Sequence, residues 1–423
     1  MNAEQLKREL AKGALAEYSD IYFDAEAQTK RLICAIDSFI ERFGNKDISV
    51  FSVPGRCEIA GNHTDHNSGL VIAGAINSDI IAVAAKNSGG TVRVLSRGYG
   101  EDTVDLTKIY DKSNFEKYTS SALIGGVLCG IKTHGFEVGG FDAYLDSEVL
   151  SGSGISSSAA YEVMIGNIIN HLYLDRTLEN KELAKIAQYA ENEFFGKPSG
   201  LMDQMACAVG GFVYIDFCDS KNPAVESIDF SLSEKGYELC LVNTGTSHAD
   251  LNDDYAKIPL EMKAVAKHFG KNELRGITED EIIKEINALR KEAGDRAVLR
   301  ALHFVSENER VKEIRKALLS SDMEGFLENI KKSGDSSFKY LQNVHTEKSE
   351  KEQGLSLALA VSEVCFKDKK CAVRVHGGGF AGTVEAFIPQ NETDSYVSLM
   401  ESVFGQGSVK RYLVRKPGAV KLF

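Results

Sequence analysis

The 423-residue sequence has no tryptophan and only six prolines. No stretch rich in Pro, Gly and Ser interrupts it, so nothing reads as a flexible linker and any domains must pack closely. No window approaches the roughly 18 apolar residues of a membrane span. The start, MNAEQLKREL, is charged and helix-prone rather than signal-like. Both absences predict a cytoplasmic protein. An excess of positive charge is also missing: 49 Lys and Arg face 61 Asp and Glu, a net charge of −12. That sign argues against nucleic acid or an anionic membrane as partner. A phosphate-bearing ligand would have to be held locally, by backbone N–H groups, a metal ion or a few basic side chains. The eight cysteines (Cys34, Cys57, Cys129, Cys207, Cys218, Cys240, Cys365 and Cys371) include no C-x-x-C pair. Their scatter predicts reduced thiols, not a zinc site.

What is present is ample material for folding. Apolar residues make up 43% and charged residues 26%, and a chain of this length is expected to form two domains. Residues 1–45 read as helix; ISVFSV (48–53) reads as a strand stopped at Pro54. Strand-like segments follow at 70–76, 79–85 and 91–96, a helix at 118–134, and a half-buried strand at 139–145. After residue 160, Ala160, Met164, Ile168 and Leu172 recur at every fourth position, a helix face; a second helix is expected over 181–195. Residues 211–217 and 237–243 read as strands, 255–340 as mostly helix, and 370–376 with 382–388 as a hairpin. The pattern is mixed α/β, with a domain change near residue 220.

Between the strand at 139–145 and the helix after 160 lies SGSGISSSAA (151–160). Gly152 and Gly154 permit unusual dihedrals and close backbone approach to a ligand. The helix start offers unpaired N–H donors and positive dipole character, which suit phosphate. Ser156, Ser157 and Ser158 could cap the helix or reach a metal ion; an ordinary Ser-capped helix after a flexible loop would use the same residues. No Lys follows as in G-x-x-x-x-G-K-[ST], the third Gly of the dinucleotide fingerprint is missing, and the common protein-kinase signatures are not found.

GSGISSSAA resembles the second motif of the GHMP kinases, G-x-G-L-[SG]-S-S-A-A. PGRCEIAGNHTDHNSG (54–69) resembles the galactokinase signature P-G-R-x-N-L-I-G-E-H-T-D-Y-N of that family. Arg56, His63, Thr64, Asp65 and Asn67 match it. Three polar positions depart: Glu58 stands where the family has Asn, Asn62 where it has Glu, and His66 where it has Tyr. AENEFFGKPSGLMDQ (190–204) resembles A-E-x-x-F-x-G-x-x-C-G-I-M-D-Q and places Glu191 and Asp203 on its acidic positions. Glu193 reads as a solvated helix residue. NTGTSHADLNDDYAKI (243–258) has the family's H-x-x-x-x-x-x-Y spacing and ends it on Tyr255, a residue that could also simply cap a helix start. VHGGGFAGTVEAF (375–387) resembles the third motif, G-x-G-[FW]-G-G-x-x-V, one residue short and with Ala381 at a usual Gly. RALHFVSENERV (300–311) resembles a further galactokinase segment, to which no chemistry is assigned.

The resemblance implies a two-domain α/β (α+β) GHMP kinase fold with its active site in the interdomain cleft. Residues 1–218 would carry the sugar site and the ATP phosphate loop, and 219–423 the second domain. The implied reaction is ATP-dependent phosphorylation of the C1 hydroxyl of D-galactose. Asp203 and Arg56 would be catalytic. Asn62, His63, Asp65 and Tyr255 would bind the sugar, Asp65 at the C3 and C4 hydroxyls and His63 near C6. Gly152, Ser153, Gly154, Ile155, Ser156, Ser157 and Ser158 would cradle ATP, and Ser158 with Glu191 would hold Mg²⁺. A depressed pKa is expected at Asp203, from a helix start capped by Ser199 and from Arg56. Asn62 is expected to remove a negative charge near C6, which keeps galacturonate and N-acetylgalactosamine open as substrates. A sugar and ATP sensor is the more distant reading, and a monomer is expected.

Overall fold

The computed structural model describes residues 1–22, 24–149, 154–220, 222–245, 251–367 and 369–423. Gly152 and Ser153 of the expected phosphate loop, and His248 of the H-to-Y spacing, lie outside them. The chain forms two compact units, one of residues 1–56, 75–211 and 415–423 and the other of 57–74 and 212–414. A single cut at 218/219 therefore misses two exchanges: 57–74 belong with the second unit and the last nine residues with the first. No helix among the described residues is long and apolar enough to cross a membrane. All eight cysteines are free thiols.

In the first unit, strands follow the order Val420–Lys421, Ser49–Ala60, Leu70–Lys86, Phe141–Ser147, Thr91–Ser96, Glu101–Asp105. Phe141–Ser147 with Thr91–Ser96 is a parallel pair, whereas Leu70–Lys86 with Phe141–Ser147, Thr91–Ser96 with Glu101–Asp105 and Ser49–Ala60 with Val420–Lys421 are antiparallel. Residues 70–86 form one strand, not two. The strand that begins at Ser49 also runs through Pro54 instead of stopping there. Its pairing with the C-terminal strand ends at Ser52. Val50 donates its N–H to Phe423 on that side, so the even-numbered Pro54 lacks its N–H where the partner strand has already ended. Proline is tolerated at such an edge.

Helix Ala25–Phe43 is started by Asp24, which accepts from the Ala27 N–H at 2.9 Å. It lays Leu32, Ile36 and Phe39 against Val50, Ile81 and Val83 of the strands. Beneath it, fully buried Asp79 meets Arg31 at 2.7 Å and Arg415 at 3.5 Å, which ties the last segment of the chain into this unit. Helices Ser120–Thr133, Ser157–Tyr173, Asn180–Tyr189 and Met202–Val209 complete the unit. The helix expected over 181–195 changes character at Ala190, where a π-helical turn, Ala190–Phe195, replaces it.

In the second unit, an antiparallel sheet has the order Val409–Tyr412, Tyr237–Asn243, Thr383–Pro389, Ala372–Val375. The last two strands are the expected hairpin, in register from Val384 opposite Val375 to Phe387 opposite Ala372. Helices Gly354–Cys365 and Gln390–Phe404 supply Leu355, Leu359, Tyr396 and Met400 to its core. Helices Asn252–His268 and Asp295–Leu319 form a separate cluster through Ile258, Met262, Ala301 and Phe304.

Candidate functional site

In the first unit, Arg56 gathers the expected catalytic residues. Its Nε donates to Asp203 Oδ1 at 2.7 Å and its Nη1 to the Gly154 carbonyl at 2.5 Å. The other Asp203 oxygen accepts from the Ser156 hydroxyl. Asp203 is the second residue of helix Met202–Val209, where the macrodipole favours an anion. Burial alone would raise its carboxyl; Arg56, then Ser156 and Lys197, outweigh that and hold it below the usual carboxylate range. The Ser199 cap is not formed. The helix starts at Met202, and Ser199 instead donates its N–H and hydroxyl to Asn192 Oδ1, at 2.7 and 3.3 Å. Ser156 likewise does not cap its helix with its side chain. It sits at the cap position in the left-handed region, φ 60°, which costs a non-glycine residue energy and here turns the hydroxyl to Asp203.

A second cluster surrounds Glu191, in the π-helical turn that the sequence reading took for regular helix. Such turns often mark functional positions. Ser158 donates to Glu191 Oε1 at 2.8 Å, and the Lys197 ammonium lies 3.1 Å from the same oxygen. The Gln204 amide bridges Glu191 Oε2 at 2.8 Å and Glu162 Oε2 at 3.1 Å. Burial, and then the charge of Glu191, raise the fully buried Glu162 carboxyl well above the usual range. Among the described residues no group of three or more His, Cys, Asp or Glu gathers as a metal cluster. A hydroxyl beside one carboxylate oxygen is nevertheless a donor set that suits Mg²⁺, which takes few protein ligands and completes its shell with water and phosphate. Lys197 is about half exposed, at 55%, so its ammonium stands at the solvent edge of this cluster. Glu193 is exposed and paired with Lys112, as expected of a solvated residue.

Beside Ser157 and Ser158, the same unit contains a cavity of ≈ 810 Å³ lined by Ser96, Tyr99, Asp102, Tyr118, Tyr161 and Phe195, among others. Sequence reasoning missed it because its walls come from scattered segments. Two of its aromatics, Tyr99 at 75% and Tyr118 at 68%, are conspicuously exposed, a property of the fold that the sequence does not show.

In the second unit, three of the four expected sugar residues meet on one turn. The hairpin turn presents three consecutive carbonyls. Gly377 O accepts from Asn62 Nδ2 at 2.6 Å, Gly378 O from His63 Nε2 at 2.9 Å, and Gly379 O from the Tyr255 hydroxyl at 2.8 Å. Glycine is required at 379, where φ is 79° and a Cβ would come within 2.1 Å of the Asn343 carbonyl oxygen; at 378 a Cβ would be 2.5 Å from the Tyr255 ring. A carbonyl can only accept, so His63 carries its proton on Nε2 and leaves Nδ1 as an acceptor. Desolvation, with His66 beside it, pushes the His63 pKa down to about 3. Burial pushes the Tyr255 phenol up to about 12. Both side chains are thus neutral at pH 7. Asp65 does not join the turn; among the described residues its carboxylate is engaged only by His66, at 3.0 Å to the backbone N–H and 3.4 Å to the ring.

Asn62 departs from the expectation for it. It is fully buried, and its amide is saturated within the chain. Nδ2 donates to Glu58 Oε1 at 2.8 Å as well as to Gly377, while Oδ1 accepts from Asn343 at 2.7 Å and Ser337 at 3.4 Å. The negative charge expected to be lost has moved four residues back, to Glu58, which pairs with the fully buried Arg374 at 3.2 Å. The segment 300–311, given no chemistry from sequence, holds this loop. His303 Nε2 donates to the Asn62 carbonyl at 2.9 Å, Glu307 accepts from the Gly61 N–H at 3.1 Å, and Asn308 accepts from the Leu70 N–H at 2.7 Å. The signal lay in the spacing: His303, Glu307 and Asn308 are polar residues on one helix face that would otherwise be expected to bury apolar groups.

Known proteins are similar to this chain along most of its length. The description "GHMP kinases N terminal domain" matches residues 122–211, which include Glu191 and Asp203, and "Galactokinase galactose-binding signature" matches 37–86. A galactokinase of Streptomyces coelicolor is 29% identical over 88% of this chain and 93% of its own. One of Actinobacillus pleuropneumoniae is 30% identical over 85% and 90%. The crystal structure of Lactococcus lactis galactokinase complexed with galactose superposes with a TM-score of 0.75 at 23% identity, over 91% of this chain and 98% of that one. Mevalonate kinase of Methanococcus jannaschii follows at a TM-score of 0.60 and 14% identity, over 87% and 98%. The matching family model and the fold therefore define a GHMP-type kinase. Within that class, the chain belongs to the galactokinase family.

Proposed function

We propose that this protein transfers the γ-phosphoryl group of ATP to the C1 hydroxyl of D-galactose, giving galactose 1-phosphate and ADP. The observation that carries the reading is Asp203, held ionised by Arg56 at the start of a helix and joined through Arg56 and Ser156 to the Gly/Ser loop. Its carboxylate accepts a hydrogen bond from the sugar hydroxyl and aims the oxygen at phosphorus. As the O–P bond forms and the bond to the departing ADP oxygen breaks, the hydroxyl proton passes to the carboxylate or to solvent. With its carboxyl held below the usual range, Asp203 orients first and accepts the proton late. Arg56 offsets charge that builds on the transferred group. Phosphoryl transfer depends mainly on such positioning and charge stabilisation.

Ser158 and Glu191 would hold Mg²⁺, which supplies charge neutralisation at the phosphates. The cavity lined by Tyr99, Tyr118 and Tyr161 has the volume of a nucleoside site and suitable aromatic faces, and it supports ATP as the donor. On the sugar side, Asp65 is an acceptor for ring hydroxyls, and His63 offers Nδ1 to another. One carboxylate beside a neutral imidazole suits an uncharged sugar better than a sugar acid. A mere sensor of sugar and ATP would have no use for the Arg56–Asp203 pair.

The test is sugar-dependent ADP release with Mg·ATP and galactose, galacturonate, N-acetylgalactosamine, glucose and arabinose, with Asp203→Asn as the blank. Turnover is expected on galactose and lost in the variant. Turnover of galacturonate in preference to galactose, or none on any sugar, would refute the reading.

A further inference from the structure

We infer that Asn62 is a positioning residue of the glycine turn and not a contact for the sugar, and that Glu58 and Asn62 are a reciprocal exchange acting as one unit; the inference rests on the galactose reading above. Relative to the family signature, Asn and Glu have traded places at positions 58 and 62. Two independent drifts would have no reason to compensate each other, but these side chains touch: Asn62 Nδ2 donates to Glu58 Oε1 at 2.8 Å. The pair holds one carboxylate, one amide and the hydrogen bond between them. What changes is the side on which the charge stands. At position 58 it meets Arg374, whose guanidinium is fully buried, 3.2 Å from Glu58 and also bonded to the Ile59 carbonyl at 2.7 Å. The charge is therefore compensated inside the second unit.

The amide left at position 62 has two donors and two acceptor sites, and all four are used. Three of its four partners carry it to the turn or to the segments supporting it. Gly377 O is bound directly. Asn343, which donates to Asn62 Oδ1, also donates to Gly378 O at 3.1 Å. Ser337 closes the fourth position. Asn62 thus fixes the two carbonyls next to the one that holds Tyr255, and shares Gly378 O with His63 through Asn343. Its influence reaches the sugar through where His63 and Tyr255 stand. A group with no free hydrogen-bonding position and no exposed surface has no direct term to give a C6 hydroxyl.

The experiment separates contact from positioning by using a sugar that lacks the group in question. Asn62→Ala should raise the galactose KM about tenfold, the cost of a lost buried hydrogen-bond network, while the ATP KM stays within about twofold. D-Fucose, which is 6-deoxygalactose, should lose affinity as a competitive inhibitor by the same factor, because a displaced turn penalises both sugars alike. A loss confined to galactose would mean that Asn62 touches the C6 oxygen, and would overturn the inference. So would an unchanged galactose KM. Asn62→Glu alone sets two carboxylates against each other in a closed site and should lose most sugar affinity. Glu58→Asn combined with Asn62→Glu removes that repulsion but not the loss of the donor to Gly377 O, and should recover affinity only to the level of Asn62→Ala, about tenfold below the parent. That double variant decides the matter if Asn62→Ala fails to fold: a folded double variant no better than Asn62→Glu alone refutes the exchange, and one as good as the parent refutes the role given to the Gly377 bond. A parent chain that turns over no galactose refutes the functional reading and this inference with it, whereas an active parent with the wrong variant pattern refutes the inference alone.

Discussion

The residues of the first unit and those of the second solve the positioning problem by opposite electrostatic means. In the first, the working groups are charged and are held by other charges: Asp203 by Arg56, Glu191 by Lys197. In the second, His63, Tyr255 and Asn62 are neutral, and each is held by a backbone carbonyl of one turn. Among the buried ionisable groups of the second unit, Glu58 and Glu385 meet Arg374, Glu307 meets Arg310 and Arg300 meets Glu261. On the proposed function, the difference follows the two ligands. A triphosphate in transfer builds charge that fixed charges can meet. A sugar presents hydroxyls, each both donor and acceptor, and neutral partners of known tautomer discriminate them without the desolvation cost of an unpaired ion.

The largest effect should come from breaking the charged half. Asp203→Asn keeps the shape and removes the charge, and kcat should fall about 1,000-fold, ~4 kcal/mol, with the galactose KM little changed. A loss in KM alone would move Asp203 to the sugar-binding group and blur the comparison. Glu191→Gln should come next, with kcat/KM down about 100-fold and the Mg²⁺ concentration for half activity raised. A loss with unchanged Mg²⁺ dependence would show that Glu191 acts through Gln204 and Ser158 and is not a ligand.

The neutral half is tested at His63. His63→Ala should raise the galactose KM about tenfold with kcat nearly kept. The sharper readout is pH. A histidine whose pKa is lowered to about 3 is uncharged throughout pH 5 to 8, and the low pKa of Asp203 leaves it ionised over the same range. The ratio of parent to variant kcat/KM should therefore be flat between pH 5 and 8. A ratio that grows as pH rises through 6 to 7 would mean that the imidazole titrates there, and the neutral plan of the second unit would fail.

Much of this comparison was legible in the sequence. Arg56, His63, Asp65, Ser158, Glu191 and Asp203 stand in short segments whose residue types reveal their chemistry. The neutral scaffold was not legible, because its links are long-range: His303 holds a loop 241 residues away, and Asn62 meets Asn343 across 281. Local pattern also misjudged where it had only one strand to read. Pro54 looks like a strand stop until the shortness of the partner strand is known, and Ser156 looks like a cap until Asp203 is beside it. The exchange of 57–74 and 415–423 between the units has no local signature at all, since each piece is bounded by strand residues like any other. Asn62 taught the opposite lesson. Its departure from the family was visible, but its meaning depended on Glu58, whose role appears only when Arg374 is placed against it.

The smallest expected effect is at Tyr255, and it tests how far the turn itself carries the neutral half. Tyr255→Phe removes only the hydroxyl that donates to Gly379 O at 2.8 Å, and keeps the ring that meets Phe380 edge-on at 5.4 Å. A neutral hydrogen bond of this kind contributes ~1 kcal/mol, so the galactose KM should rise about fivefold and kcat should hold. Gly379 O also accepts from the Ala381 N–H at 2.7 Å, so its loss of one donor leaves it satisfied and the turn intact. If Tyr255→Phe instead costs as much as Asn62→Ala, the turn depends on each of its side-chain donors equally, and Asn62 has no special place in it. A smaller cost at Tyr255 puts the anchor at Gly377 and Gly378, where the Glu58–Asn62 exchange lies.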